Sequence, residues 1–126
     1  MKNMQPNYII IVGCDAVNIL PKTERVVIPV EKLVKYALNP MKDPNKARSF
    51  GLALGYDLFN ADKLIDNIRV NLEKFPAKEK GDKGYGMLYE VVLTLTGENG
   101  KTANVLTAWI DDIYKNEMRL VTIHID

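Results

Sequence analysis

The chain has 126 residues, of which 47% are hydrophobic and 26% are charged, a composition typical of one globular domain and not of a disordered segment. Its formal net charge is +1, whereas dedicated nucleic-acid-binding proteins are usually more basic, so contact with nucleic acid would depend on local clusters of lysine and arginine. Cys14 is the one cysteine and His124 the one histidine, which excludes an internal disulfide and the common multi-cysteine and multi-histidine zinc sites.

We expect no metal, no cofactor and no membrane partner. The apolar run at residues 8–12 is too short for a membrane span or for the core of a signal peptide. The sequence therefore predicts a cytoplasmic protein.

Short strands and then helices are predicted in the first half of the chain. Residues 8–12 are a tyrosine followed by four β-branched residues and are followed by a glycine, which predicts a buried strand. Residues 25–28 predict a second extended piece. Three helices with apolar stripes follow. They are predicted to begin at Pro29, after the capping residue Asp43 and after the capping residue Asn60.

The C-terminal part predicts an antiparallel sheet. Residues 76–84 are charged and contain glycines, so they are predicted to form a mobile loop or flap. Residues 85–96 and 101–111 read as two strands joined at Asn99-Gly100, which is a strong hairpin signal, and residues 118–125 read as a third. The predicted fold is one α+β domain over residues 1–126, with an N-terminal strand and three helices packed on one face of a C-terminal antiparallel meander.

The hairpin turn decides which side chains share a face. A turn at Asn99-Gly100 and a turn of the four residues 97–100 place the same residues together, because strand side chains alternate with a period of two. The predicted core face holds Tyr89, Val91, Leu93, Leu95, Leu106, Ala108, Ile110, Val121, Ile123 and Ile125. The opposite face, predicted to remain open to solvent, holds Glu90, Thr94, Thr107, Trp109, Thr122 and His124.

That second face combines a carboxylate, the one imidazole, hydroxyl groups and the one indole. Each residue also has an ordinary explanation, Trp109 as the plug of a secondary apolar cluster and the others as polar strand surface, and only their coincidence indicates a site. Lys46 and Arg48 fall in the first turns of the second helix, where the helix dipole disfavours cations. Such cations can hold a phosphate, although a solvated helix surface is the ordinary alternative.

Five short motifs occur in order along the chain: LNP at residues 38–40, KARSF at 46–50, TGENG at 96–100, TAWI at 107–110 and RLVT at 119–122. Their combination resembles the bacterial domain-of-unknown-function family 6883, found as a C-terminal module of polymorphic toxins. The resemblance runs from residue 20 to residue 126, with residues 1–19 as an extra N-terminal region.

The resemblance implies a domain similar to the barnase, EndoU, colicin and RelE class of ribonucleases, in which an exposed sheet face cuts RNA without a metal. Carried over position by position, it singles out Lys46, Arg48, Thr107, Trp109, Arg119 and Thr122.

Two functions remain open at this point. The first is a metal-independent endoribonuclease, toxin-like, with His124 and Glu90 as acid and base. In that hypothesis Lys46, Arg48 and Arg119 surround the phosphate. The threonines Thr107 and Thr122 complete the catalytic set, and Trp109 and Arg119 bind substrate. The second is a non-catalytic protein-binding module, an immunity or phage-associated protein that uses the same face. The expected partner is accordingly RNA, or a cognate immunity or antitoxin protein.

Overall fold

Local sequence signals set the helices of this protein, whose computed structural model describes residues 18–126. The strand predicted at residues 8–12 lies outside the described residues. Helix α1, Val30–Lys32, continues as a π-helical turn, Leu33–Ala37. Helix α2 spans Pro44–Leu54, and helix α3 spans Ala61–Asn71 and ends in a 3-10 turn, Leu72–Lys74. A further 3-10 turn, Thr23–Arg25, precedes the first strand.

The predicted ends of α2 are confirmed. The Asp43 side chain accepts a hydrogen bond of 3.1 Å from the backbone N–H of Lys46, and Pro44 occupies the first turn, where a missing N–H costs nothing. Gly55 ends the helix at a φ of +76°, the left-handed conformation that glycine adopts most readily. Asn60 precedes α3 as predicted, but its side chain bonds the preceding loop, at Asp57 and Gly55, and not the helix.

The described strands form one five-stranded mixed sheet in the order β1-β5-β4-β3-β2. Strand β1 pairs parallel to β5, and all other neighbours are antiparallel, which confirms the predicted C-terminal meander. The strands are β1 Val26–Val27, β2 Ala77–Asp82, β3 Met87–Thr96, β4 Thr102–Asp112 and β5 Glu117–Ile125.

The flap predicted at residues 76–84 is wrong, because most of this segment is the edge strand β2. Pairing with β3 outweighs the weak strand propensity of its lysines, glutamate and glycine. The register shifts between Glu79 and Gly81, and the side chains of Lys78, Glu79 and Lys80 are exposed. Charges and a bulge are features by which edge strands avoid pairing with other chains.

The β3–β4 hairpin has a three-residue loop. It is one residue longer than the predicted turn at Asn99-Gly100 and one residue shorter than the predicted turn of residues 97–100. Gly97 donates to the carbonyl of Lys101 at 2.9 Å, and Gly100 donates to the carbonyl of Gly97 at 3.1 Å. A loop of odd length shifts the pairing by one residue, which exchanges the two faces of β4 relative to β3. The turn also docks on the end of α2, since Asn99 donates to the Leu54 carbonyl at 3.3 Å.

We call the helix-packed side of the sheet the covered face. It carries Val91, Leu93, Leu95, Val105, Thr107, Trp109, Met118, Leu120 and Ile123, all buried. We call the other side the open face. It carries Leu88, Glu90, Val92, Thr94, Asn104, Leu106, Ala108, Ile110, Arg119, Thr122 and His124. The predicted open-face positions of Thr107 and Trp109 are therefore wrong, as are the predicted core-face positions of Leu106, Ala108 and Ile110, because the loop length shifts the register.

Val121 is also misplaced by the sequence pattern. Ala108 pairs with Thr122 while Trp109 pairs with Leu120, so Val121 is an extra residue in a β-bulge and is 38% exposed. The remaining predicted core positions in β3 and β5 lie on the covered face.

Replacing Gly100 by valine should destabilise the domain by about 1 kcal/mol, because a β-branched residue tolerates positive φ poorly. Gly100 has a φ of +80°, as the hairpin signal predicts, and an added Cβ meets no atom within 4 Å. The cost thus comes from the backbone conformation. Urea unfolding of Gly100→Val against Lys101→Val, an exposed neighbour, measures it. Equal stabilities would contradict the assigned turn.

Candidate functional site

One row of paired residues crosses the open face, and in it a small residue lies between polar side chains. Lys78 pairs with Glu90, Glu90 with Ala108, and Ala108 with Thr122. Neighbouring strands lie about 4.8 Å apart, so the backbones of Glu90 and Thr122 are about 10 Å apart. Ala108 between them has only a methyl group and is 6% exposed. We call the row Glu90–Ala108–Thr122, with its small central residue as the floor, the trough.

His124 lies at one end of this trough. It is two residues beyond Thr122 on the same strand, and it pairs with Leu106 in the next row of the sheet. Because side chains two residues apart point to the same side of a strand, its imidazole shares the open face with the Thr122 hydroxyl. His124 is half-buried. The trough thus has a carboxylate on one wall and an imidazole and a hydroxyl on the other.

Ion pairs border the trough. Lys80 Nζ lies 3.7 Å from a carboxylate oxygen of Glu90, and both side chains are about one-third exposed. Arg119 donates to Glu117 at 2.7 Å, so its guanidinium is held beside a carboxylate of its own strand. Arg119 is on the open face, as a substrate-binding residue would need, but its charge is already matched by Glu117.

Lys46 reaches the same wall from α2. A hollow of about 300 Å³ beside β5 is lined in part by Lys32, Tyr36, Asp43, Lys46, Val121 and Thr122. We call it the β5-edge hollow, since β1 pairs with β5 only at Met118 and Arg119 and leaves the rest of this edge without a strand partner among the described residues. Thr122 belongs to both the trough and the hollow. Lys46, predicted from sequence, thereby lines the same hollow as Thr122.

Thr107 and Trp109 serve the core. The indole N–H of Trp109 donates to the Thr107 hydroxyl at 2.7 Å, and that hydroxyl donates to the Val91 carbonyl at 2.8 Å. Both residues are 0% exposed. The indole N–H and the hydroxyl thus each have a hydrogen-bond partner, as buried polar groups require. Neither side chain lines the trough.

Arg48 is not brought to the site by the fold. It is exposed on α2 and is absent from the lining of the β5-edge hollow. No hydrogen bond or ion pair joins its guanidinium to another residue in the described part of the chain. Arg48 lies two residues from Lys46 on a helix, a spacing that does not place two side chains on one face.

Sequence reasoning missed Lys32, Tyr36 and Asp43. Lys32 and Tyr36 are four residues apart in one helical segment, a spacing that places side chains on one face. Asp43 is three residues before Lys46, as a helix cap requires. Those spacings are visible in the sequence, but only the docking of the helices beside β5 shows that they meet Thr122.

Tyr89 lies on the face opposite to Glu90 and has a perturbed phenol. Burial raises the pKa of Tyr89, and the carboxylates of Glu79 and Asp111 raise it further, while Lys22 opposes them. Lys22 is bound to Asp111 at 2.7 Å. This cluster stands apart from the trough, because Tyr89 and Glu90 are consecutive residues of a strand and point to opposite sides.

Residues 18–126 contain no group of three histidine, cysteine or acidic side chains arranged to hold a metal ion. In the same range, no helix is long and apolar enough to cross a membrane.

Comparison with known proteins identifies a family but no individual relative. No curated protein and no solved structure matches the chain. A family model does match it, over residues 19–126, which include every residue of the trough and of the β5-edge hollow. The chain therefore belongs to the family described as Domain of unknown function (DUF6883).

Proposed function

We propose that this domain cleaves RNA without a metal ion, and that the trough on the open face is the active site. RNA carries its own nucleophile, the 2′-hydroxyl, so a protein needs only a base, an acid and groups that stabilise charge on the phosphate. The row Glu90–Ala108–Thr122, with His124 beside Thr122, is the observation that carries the proposal. It sets a carboxylate and an imidazole on opposite sides of a small floor.

The geometry suggests a role for each group. Glu90 takes the proton of the 2′-hydroxyl, whose oxygen attacks the phosphorus. The bond from phosphorus to the 5′-oxygen breaks, and His124 as imidazolium gives its proton to that oxygen. The products are a 2′,3′-cyclic phosphate and a free 5′-hydroxyl. Thr122 and Lys46 face the phosphate, where a hydroxyl and an ammonium stabilise the charge that develops.

Local charge supports contact with RNA despite the low net charge. Lys78 and Lys80 lie on the β2 side of the trough, and Lys46 lies on the β5 side. An RNA strand laid across the row, which spans three strand spacings of about 4.8 Å, would therefore meet an ammonium at either end. The motifs resemble a family found in polymorphic toxins, and the ribonuclease class that this resemblance implies agrees with the proposal; an immunity protein would then be the expected partner.

A short RNA tests the proposal directly. Purified protein should cut it at equal rates with and without EDTA, and the product should end in a 2′,3′-cyclic phosphate. A matched oligonucleotide with one 2′-deoxyribose at the cleavage position should stay whole, because its nucleophile is missing. An uncut RNA, or cleavage that EDTA abolishes and Mg²⁺ restores, would overturn the proposal.

A second function is favoured by the apolar side chains on the same face. Val92 is 37% exposed, and the half-buried Leu88 and Leu106 lie on the same open face. Apolar centres with polar rims are typical of protein-binding surfaces. An immunity-type protein that binds a toxin domain would use this face without any chemistry. In that case wild-type protein leaves RNA whole, and Val92→Asp prevents a one-to-one complex with that toxin domain in size-exclusion chromatography.

A further inference from the structure

The β5-edge hollow is bounded on one side by a π-helical turn. Leu38 donates to the carbonyl of Leu33 at 2.8 Å, the five-residue spacing that defines such a turn. The Asn39 side chain donates to the Val34 carbonyl at 3.1 Å and so supplies a hydrogen-bond donor to one carbonyl of the wider turn. π-Helical turns are rare and occur frequently at functional sites. Here the turn and the residue before it supply Tyr36 and Lys32 to the hollow.

The opposite side of the hollow is bounded by the β-bulge. In a regular strand the consecutive residues Val121 and Thr122 would point to opposite faces. The extra residue is Val121, and the hollow is lined by Val121, Thr122 and the following Ile123. Bulges are over-represented next to active sites, where they redirect a side chain. Two backbone irregularities therefore converge on one cavity.

The hollow has an excess of positive charge. Lys32 and Lys46 both line it, and within residues 18–126 neither ammonium takes part in an ion pair or a hydrogen bond. Asp43 is the one carboxylate among the lining residues, and one of its oxygens accepts the bond that caps α2. Two ammonium groups beside one cavity repel each other unless an anion lies between them.

We propose that the β5-edge hollow binds one nucleotide, with Lys32, Lys46 and the Thr122 hydroxyl on its phosphate and the Tyr36 ring against its base. Tyr36 is 58% exposed, and aromatic side chains that stack bases must be accessible. The volume of about 300 Å³ is at the lower end for small-molecule sites, which suits one nucleotide and not a longer segment. Thr122 lies in both the hollow and the trough, so the hollow would hold the nucleotide next to the scissile phosphate. This assignment as a subsite rests on the proposed function.

Nuclear magnetic resonance titration of ¹⁵N-labelled protein with adenosine 5′-monophosphate, and separately with inorganic phosphate, tests the subsite. Backbone amides around Lys46 and Thr122 should shift with both ligands. Lys32→Ala and Lys46→Ala should each weaken binding of both by about tenfold or more, since hydrogen bonds to charged groups are the strong ones. Tyr36→Leu should weaken binding of the nucleotide and leave binding of phosphate unchanged.

Lys35→Ala is the matched control, because Lys35 is an exposed lysine of the same π-helical turn that does not line the hollow. Equal weakening by Lys35→Ala and Lys46→Ala would overturn the subsite, since it would show only general attraction of anions. If the protein cuts RNA but these amides do not shift, the subsite is wrong and the cleavage proposal stands. If they shift with the stated dependence and RNA remains whole, the cleavage proposal is wrong and the nucleotide site stands.

Discussion

Replacing Trp109 by alanine should lower the free energy of unfolding by about 3–5 kcal/mol, the usual cost of removing a large aromatic side chain from a core. Trp109 is 0% exposed and belongs to the main hydrophobic cluster, where it pairs across the sheet with Tyr89. Small domains are stable by only about 5–15 kcal/mol, so this change removes a large part of the total. Chemical denaturation followed by far-ultraviolet circular dichroism measures the loss.

The hydrogen-bond chain behind the indole contributes separately. Thr107→Val removes the hydroxyl and leaves the indole N–H of Trp109 without its hydrogen-bond acceptor, which should cost about 1–3 kcal/mol. Thr107→Ser keeps the hydroxyl and should recover most of that loss. Combining Thr107→Val with Trp109→Phe should cost less than the sum of the two, because the double variant has one unpaired group fewer.

Phe59→Ala is the control for Trp109→Ala, because Phe59 is a comparably large aromatic residue that is 94% exposed. Its unfolding free energy should remain within about 0.5 kcal/mol of the wild type. A loss at Trp109 no larger than at Phe59 would mean that the indole is on the surface, as the alternation pattern alone predicts.

Local signals in the sequence were sufficient for the helices and for the type of connection between the last strands. Asp43, Pro44 and Gly55 act within one or two turns of chain, and each has the predicted role. The register of β4 was not predictable in the same way. It depends on the length of the hairpin loop, and the loop docks on the end of α2, where an added Cβ on Gly97 would lie 2.0 Å from the Leu54 carbonyl oxygen. That contact joins residues more than forty positions apart and has no local signature.

Two errors of one residue explain which parts of the site were predicted. The first is the length of the β3–β4 loop, which exchanges the faces of β4. The second is the register of β5 on β4, where Ala108 pairs with Thr122. The two shifts cancel, so Thr122 and His124 lie on the predicted side of the sheet relative to β3. Glu90, Thr122 and His124 therefore share a face as expected, while Thr107 and Trp109 of β4 move into the core. The bulge then brings Arg119 to the open face. Alternation within each strand was correct wherever the strand is regular.

His124→Gln and Glu90→Gln should each slow RNA cleavage by about 10²–10⁴-fold, the usual contribution of one positioned acid or base. Glutamine preserves most of the volume in each case and cannot transfer the proton. Both residues are only half-buried, so unfolding free energies should change by no more than about 0.5 kcal/mol. Loss of the Lys80–Glu90 pair adds little to that change, because exposed ion pairs contribute about 0–1 kcal/mol.

The double variant separates a shared transition state from two unrelated effects. If Glu90 and His124 act on the same phosphate, the combined loss in rate should be much smaller than the product of the two single losses, because groups that act as a unit are not additive. Thr94→Val is the control, since Thr94 is exposed on the same face of β3, four residues from Glu90. It should cut RNA at the wild-type rate. Equal losses in cleavage rate for Thr94→Val and Glu90→Gln would mean that the effect comes from the sheet as a whole. Cleavage at the wild-type rate by His124→Gln would show that His124 is not the acid.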